Sequence, residues 1–112
     1  MPEKATKGSI GFDLFSSHMV ILQSNKVTKV HTGLAMNLPK GIYCRISPCS
    51  GLSMKGISIK AGVIDNDYKG EIIIMMRNHT KSEIKLTNGQ KAAQCIFEHA
   101  SNPCLILSDN IS

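Results

Sequence analysis

Residues Gly62-Val63-Ile64-Asp65-Asn66-Asp67-Tyr68-Lys69-Gly70-Glu71 bring two aspartates and one of the chain's 2 tyrosines into a glycine-bounded turn. An Asp-Asn-Asp sequence is not core, because ionised side chains without partners are too costly to bury. The apolar run Ile72-Ile73-Ile74-Met75-Met76 follows at once and ties the turn to a strand. Charged, aromatic-bearing turns anchored on rigid strands are where binding and catalytic sites are built, and a carboxylate there suits a base that orients water. The plain alternative is a polar hairpin tip, and this segment alone leaves both readings open.

The elements that must hold this turn are short. Strand-like runs cover 10–14, 19–22, 27–30, 34–38, 42–46, 57–59, 71–77, 84–86, 92–97 and 104–107, separated by Gly, Pro and Asn. Their spacing predicts an all-β sandwich, jelly roll or barrel with little helix, a single domain over 1–112. Only residues 50–55 suit a helical turn. Asn88-Gly89 is a hairpin signal, since both residues tolerate positive φ. The apolar run 72–76 is either a central sandwich strand or a strand buried on both faces, its second face against another subunit.

Composition narrows the function classes. Hydrophobic content of 42% against 19% charged argues for a folded core rather than disorder. Aromatics at 4% and no Trp leave that core to Ile, Leu, Val and Met. No apolar stretch approaches the roughly 20 residues of a membrane span, and residues 1–7 lack a signal peptide's apolar region. An intracellular protein without a membrane partner is expected. The net charge of +5 suits an anionic ligand, but the lysines are dispersed and no aromatics interleave with them, so direct nucleic-acid binding is not expected. Cys44, Cys49, Cys95 and Cys104 form no CxxC, and the histidines have no ligand spacing. Free thiols and no structural zinc are expected.

Four separated segments line up with one family. Gly11-Phe12-Asp13-Leu14-Phe15-Ser16-Ser17 resembles the first motif, and Ser47-Pro48-Cys49-Ser50-Gly51-Leu52 the second, of the trimeric dUTP diphosphatases, or dUTPases. Residues 62–70 resemble the third, and Gly89-Gln90-Lys91-Ala92-Ala93-Gln94-Cys95-Ile96-Phe97 the fourth. The connecting Thr32-Gly33-Leu34 and Leu38-Pro39-Lys40-Gly41 also look familial, so the resemblance runs over residues 8–97.

The resemblance implies a distorted jelly-roll fold, a homotrimer with sites at subunit interfaces, and Mg²⁺-assisted hydrolysis of dUTP to dUMP and pyrophosphate. By it, Asp65 is the base that activates water, while Asp67 is structural. Asp13 and Gln94 steady the waters around Mg²⁺ without ligating it directly, as suits an ion that keeps its hydration shell. Ser50 and Gly51 cradle phosphate oxygens, with Cys49 beside them. Tyr68 packs on the deoxyribose and leaves no room for a 2′-hydroxyl. Backbone groups of Gly62, Val63 and Ile64, with the facing strand near Ile73, read uracil as a base pair would. Taken singly, Asp13 would be a turn cap and Gln94 a buried amide satisfying backbone.

The chain departs from the pattern in two places. The second motif of the family carries Arg, or Lys in some members, where this chain has Cys49. A thiol cannot make forked, charge-assisted phosphate contacts, which contribute on the order of 1.5–3 kcal/mol each. Arg45, Lys55 and Lys69 are candidates to compensate. The family's fifth motif, an Arg- and Gly-rich lid with an aromatic residue, is not found within residues 1–112, which implies either a longer chain or an open site. These departures support the alternative of a catalytically weak or inactive dUTPase-fold protein that binds or regulates. The related dCTP deaminases need a Glu on the strand after the third motif, and residues 72–76 hold no carboxylate.

Overall fold

The computed structural model describes the backbone of residues 3–4 and, in full, residues 11–60, 62–65 and 67–99. In chain order these form β1 (Glu3–Lys4), β2 (Gly11–Phe15), β3 (Val20–Leu22), β4 (Val27–Ala35), β5 (Ile42–Pro48), α1 (Ser50–Met54), β6 (Ile57–Lys60), β7 (Val63–Ile64), β8 (Glu71–Asn78), β9 (Ile84–Leu86) and β10 (Lys91–His99). The strands build a five-stranded sheet of order β1-β2-β10-β5-β7, a three-stranded sheet β4-β8-β6 and a two-stranded sheet β3-β9. Every pairing between named strands is antiparallel. The fold is all-β and jelly-roll-like, as the spacing of the runs predicts.

Alternation sets the core. Along β8, Ile72, Ile74, Met76 and Asn78 are buried while Glu71, Ile73, Met75 and Arg77 are half-buried on the opposite face. Of the two readings of this run, the chain alone buries one face fully and leaves the other part-exposed. Leu14, Leu22, Val30, Ile46, Leu52, Ile57, Leu86 and Ala93 complete the interior. Each fully buried Ile or Leu contributes about 1.5–3 kcal/mol.

Three expectations need correction. The run at 27–30 extends as β4 to Ala35, across a register shift between His31 and Ala35, so only Leu34 and Ala35 of the run at 34–38 are strand and residues 36–38 lie outside any strand. The turn at Asn88-Gly89 forms, with Gly89 at φ +84°, but it does not close a hairpin. It joins β9, which pairs with β3, to β10, which pairs with β2 and β5, so the local turn signal carried no information about partners. Cys44 and Cys95 are not free thiols but a disulfide, with Cα atoms 6.1 Å apart. The β5–β10 register pairs Cys44 with Phe97 and Ile46 with Cys95, which sets the two cysteines diagonally on the core face, a relation invisible at a separation of 51 residues. Cys49 is free as expected. The run at 104–107 lies outside the described residues, as does Cys104.

Candidate functional site

The acidic turn hangs between β7 and β8. β7 pairs with β5 through Cys44↔Ile64 and Arg45↔Val63, and Gly62 O accepts Ile46 N–H at 2.5 Å. Beyond β7 the chain turns sharply, with Tyr68 N–H donating to Asp65 O at 3.1 Å. The turn projects its polar side chains because the strands on either side already pair their backbones. Asp65 and Asp67 are exposed, and the Tyr68 ring is 43% exposed. A cavity of about 540 Å³ lies against this turn. Val63, Ile64, Asp65, Asp67 and Tyr68 line one side, and Lys29, Ile73 and Met75 the other. Gly62 sits just before β7, where an added Cβ would lie 2.8 Å from Ile46 O.

Lys29 and Met75 were not among the sequence-derived site residues. They reach the cavity because β4 and β8 pair Lys29 with Met75 and His31 with Ile73. Only the pairing register carries that information.

A second group forms where β5 runs into α1. Cys49, Ser50, Gly51, Leu52, Lys55, Gln90 and Lys91 border a cavity of about 270 Å³. The Cys49 thiol points back at β10, 3.7 Å from Ala92 O and 3.9 Å from Lys91 O. Two strands away, Asp13 of β2 stands opposite Gln94 of β10, which in turn stands opposite Ser47 of β5. Lys91 Nζ lies 3.1 Å from Asp13 Oδ1, whose carboxylate side chain is 15% exposed. The contact has the distance of an ion pair but not the direction of a hydrogen bond, so Asp13 Oδ1 is buried without a hydrogen-bond donor.

The three candidate compensating cations now separate. Lys55 borders the same cavity as Ser50 and Gly51. Arg45 is committed elsewhere, its Nε donating to Glu98 Oε1 at 2.5 Å. Lys69 borders neither cavity. Lys91, which the sequence reading passed over, borders the cavity beside Lys55.

Carboxylates at the edges of these groups are held in the charged form. The Arg45 guanidinium, and then the Tyr43 hydroxyl at 3.1 Å, lower the Glu98 pKa, and the same contact with Glu98 raises that of Tyr43. Hydrogen bonds from His31 Nδ1 at 3.0 Å and Gly33 N–H at 2.9 Å lower the Glu71 pKa.

The sequence-derived residues therefore fall into two sets within one chain. Gly62, Val63, Ile64, Asp65, Tyr68 and Ile73 gather around the acidic turn, whereas Cys49, Ser50 and Gly51, with Asp13 and Gln94 behind them, gather around the start of α1. The two cavities share no lining residue. Among the described residues no three His, Cys, Asp or Glu side chains cluster closely enough to hold a metal directly. No helix among them is long and apolar enough to cross a membrane.

Comparison with known proteins bears on the family. The dUTPase family model matches residues 1–112. The mitochondrial deoxyuridine 5'-triphosphate nucleotidohydrolase of Dictyostelium discoideum is 38% identical over 104 residues, covering 92% of this chain and 58% of that protein. The Yarrowia lipolytica enzyme of the same name is 40% identical over 102 residues, covering 88% of this chain and 65% of its own. The Cowpox virus one is 36% identical over 102 residues, covering 91% and 69%. The chain thus spans less than two thirds of the first two relatives. Among solved structures, the native dUTPase of EIAV superposes with a TM-score of 0.85 at 28% identity, covering 99% of this chain and 93% of that one. The Staphylococcus bacteriophage 80alpha dUTPase reaches a TM-score of 0.90 at 22% identity, covering 100% and 90%, which speaks to the fold. A match over the whole length, relatives at this identity and a shared fold agree, and the chain belongs to the dUTPase family.

Proposed function

We propose that the chain is a dUTP diphosphatase, hydrolysing dUTP to dUMP and pyrophosphate at sites shared between the copies of an intracellular homotrimer. The observation that carries this reading is the division of the site residues into two groups around separate cavities. A nucleoside triphosphate needs a base and sugar pocket and a phosphate cradle together. Each copy offers one of each to different neighbours, and the part-exposed Ile73 and Met75 face is available for burial between them.

In this reading the backbone of Gly62, Val63 and Ile64, facing Ile73, holds uracil. Tyr68 packs on the deoxyribose. Asp65 orients a water toward the α-phosphorus and takes its proton as the new P–O bond forms. The bond from the α-phosphorus to the bridging oxygen breaks, and pyrophosphate departs. Ser50, Gly51 and Gln94 hold phosphate oxygens, with Lys55 and Lys91 near the place where Cys49 stands for a guanidinium. The donor set fits Mg²⁺ held through water: Asp13 Oδ1 accepts no hydrogen bond, with the Lys91 ammonium 3.1 Å away as its ion-pair partner, and Gln94 stands opposite Asp13. Bound there, Mg²⁺ would neutralise triphosphate charge.

A second reading, a catalytically weak or inactive binding protein of the same fold, is favoured by one observation: the Cys49 thiol is turned toward β10 carbonyls. Pyrophosphate release from dUTP, dCTP, dTTP and UTP, alongside light scattering on a sizing column, tests both. Release from dUTP alone by a trimer is expected. A monomer would remove the shared site, and a trimer that binds dUMP without releasing pyrophosphate would favour the second reading.

A further inference from the structure

The geometry points to Glu71 as the positioning residue for Tyr68, and through that ring as a determinant of discrimination between deoxyribose and ribose nucleotides. The inference rests on the proposed role of Tyr68 as the ring that packs on the sugar. Glu71 opens β8, three residues after Tyr68. The β4–β8 ladder runs in register from Val27↔Arg77 to His31↔Ile73 and then slips before Ala35↔Glu71. At the slip the Gly33 N–H turns to a side chain, donating to Glu71 Oε2 at 2.9 Å. The other carboxylate oxygen accepts His31 Nδ1 at 3.0 Å. Both oxygens are thus engaged by β4, one from each side of Thr32, whose buried hydroxyl donates to Ile72 O at 2.7 Å.

This bracket fixes the peptide that holds the ring. Tyr68 Oη donates to the backbone carbonyl of Glu71 at 2.5 Å. The ring also lies close over Gly70, where an added Cβ would stand 2.8 Å from Tyr68 Oη. Tyr68 is 43% exposed, so its hydroxyl contact and its approach to Gly70 are what hold the direction of the ring face. A ring that excludes a 2′-hydroxyl by contact loses that power when it can swing aside. The carboxylate of Glu71 controls the swing from the far side of its own peptide.

Calorimetric dissociation constants of the full chain for dUMP and UMP test the inference whether or not the protein turns dUTP over. Glu71→Ala is expected to lower the ratio of the UMP to the dUMP constant by about tenfold, the scale of a modest misplacement. Glu71→Gln retains an acceptor for Gly33 N–H and should keep most of the ratio. Tyr68→Phe should lower it as Glu71→Ala does, and the double variant should fall no further, because both changes cut one linkage. A parental ratio in Glu71→Ala, or equal weakening of both nucleotides, overturns the inference. Should Glu71→Ala fail to fold, His31→Ala removes one of the two carboxylate contacts, and an unchanged ratio there also overturns it. If Tyr68→Ala itself keeps the parental ratio, the sugar-packing reading fails first and takes this inference with it.

Discussion

Tyr68 donates its backbone N–H to the carbonyl of Asp65 at 3.1 Å, so the carboxylate and the ring leave a single turn as one unit. Under the proposed function, this bond ties the water-orienting carboxylate to the sugar-packing ring. The bond is between backbones, so Asp65→Asn should leave it intact while removing the base. Hydrolysis of dUTP should fall by about two to four orders of magnitude. Calorimetry should show dUMP binding largely unchanged. Substantial pyrophosphate release from the Asn variant would assign water activation to another group.

Cys49→Arg should raise dUTP turnover or triphosphate affinity, by about tenfold for one recovered charge-assisted contact. Cys49 borders the cavity that also contains Ser50 and Gly51, so a guanidinium there would face the phosphates. Steady-state kinetics of the folded variant check this. No gain would mean that Lys55 already supplies the needed charge.

The fold was legible because its signals are local. The apolar run of β8, the turn residues and the short runs located strands, and 50–55 announced α1. The extension of β4 to Ala35 was not legible, since the slip beside Gly33 depends on β8. The candidate site residues came from motifs, but their division between two cavities was not readable there, because it follows from which strands pair. Lys29 and Lys91 illustrate the limit: one enters through its register with Met75, the other through its approach to Asp13. Glu71 showed in sequence only as the residue after Gly70. Its two donors come from β4, about 40 positions upstream.

Asn78 should prove one of the costliest polar positions to change. It is fully buried, donates from Nδ2 to Leu22 O and Ser82 O at 2.8 Å each, and accepts Thr80 N–H at 2.9 Å and the Thr80 hydroxyl at 2.7 Å. Asn78→Ala would strand several of these partners at once, costing about 3 kcal/mol. Thermal unfolding should shift down by about 10 °C or more. A shift of a degree or two would mean that water replaces the amide.

Acid should destabilise the chain through Glu71 and Glu98. Their folded pKa values lie below the ordinary 4.5, held there first by His31 and Arg45 respectively. A depressed carboxylate contributes stability that is present above the unfolded value and lost as pH falls through the folded one. Melting temperature should therefore be level near neutrality and drop below pH 4.5. Glu98→Gln should make that acid limb shallower. Tyr43 runs the other way: its pKa is raised above 10.0, so its contribution is present below that value and lost at higher pH. An acid limb identical in the Glu98→Gln variant would show that other groups dominate it.

Gly62→Ala tests whether the backbone at 62–64 reads the base. The methyl would stand 2.8 Å from the Ile46 carbonyl oxygen, closer than real Cβ atoms approach backbone. Ile46 also donates its N–H to Gly62 O, so the two strands cannot part here without losing that bond. The strain must be relieved by pushing β7 away from β5, and Val63 and Ile64 line the cavity from β7. Overpacking of this kind costs about 1–3 kcal/mol of stability. The displaced backbone groups should weaken dUMP binding by about tenfold or more. Affinity should fall further than stability alone accounts for, so calorimetry is run at a temperature where the variant remains folded. A folded variant that binds dUMP as tightly as its parent would show that the backbone at 62–64 does not contact the base, and recognition would then have to come from Lys29 and the β8 side of the cavity.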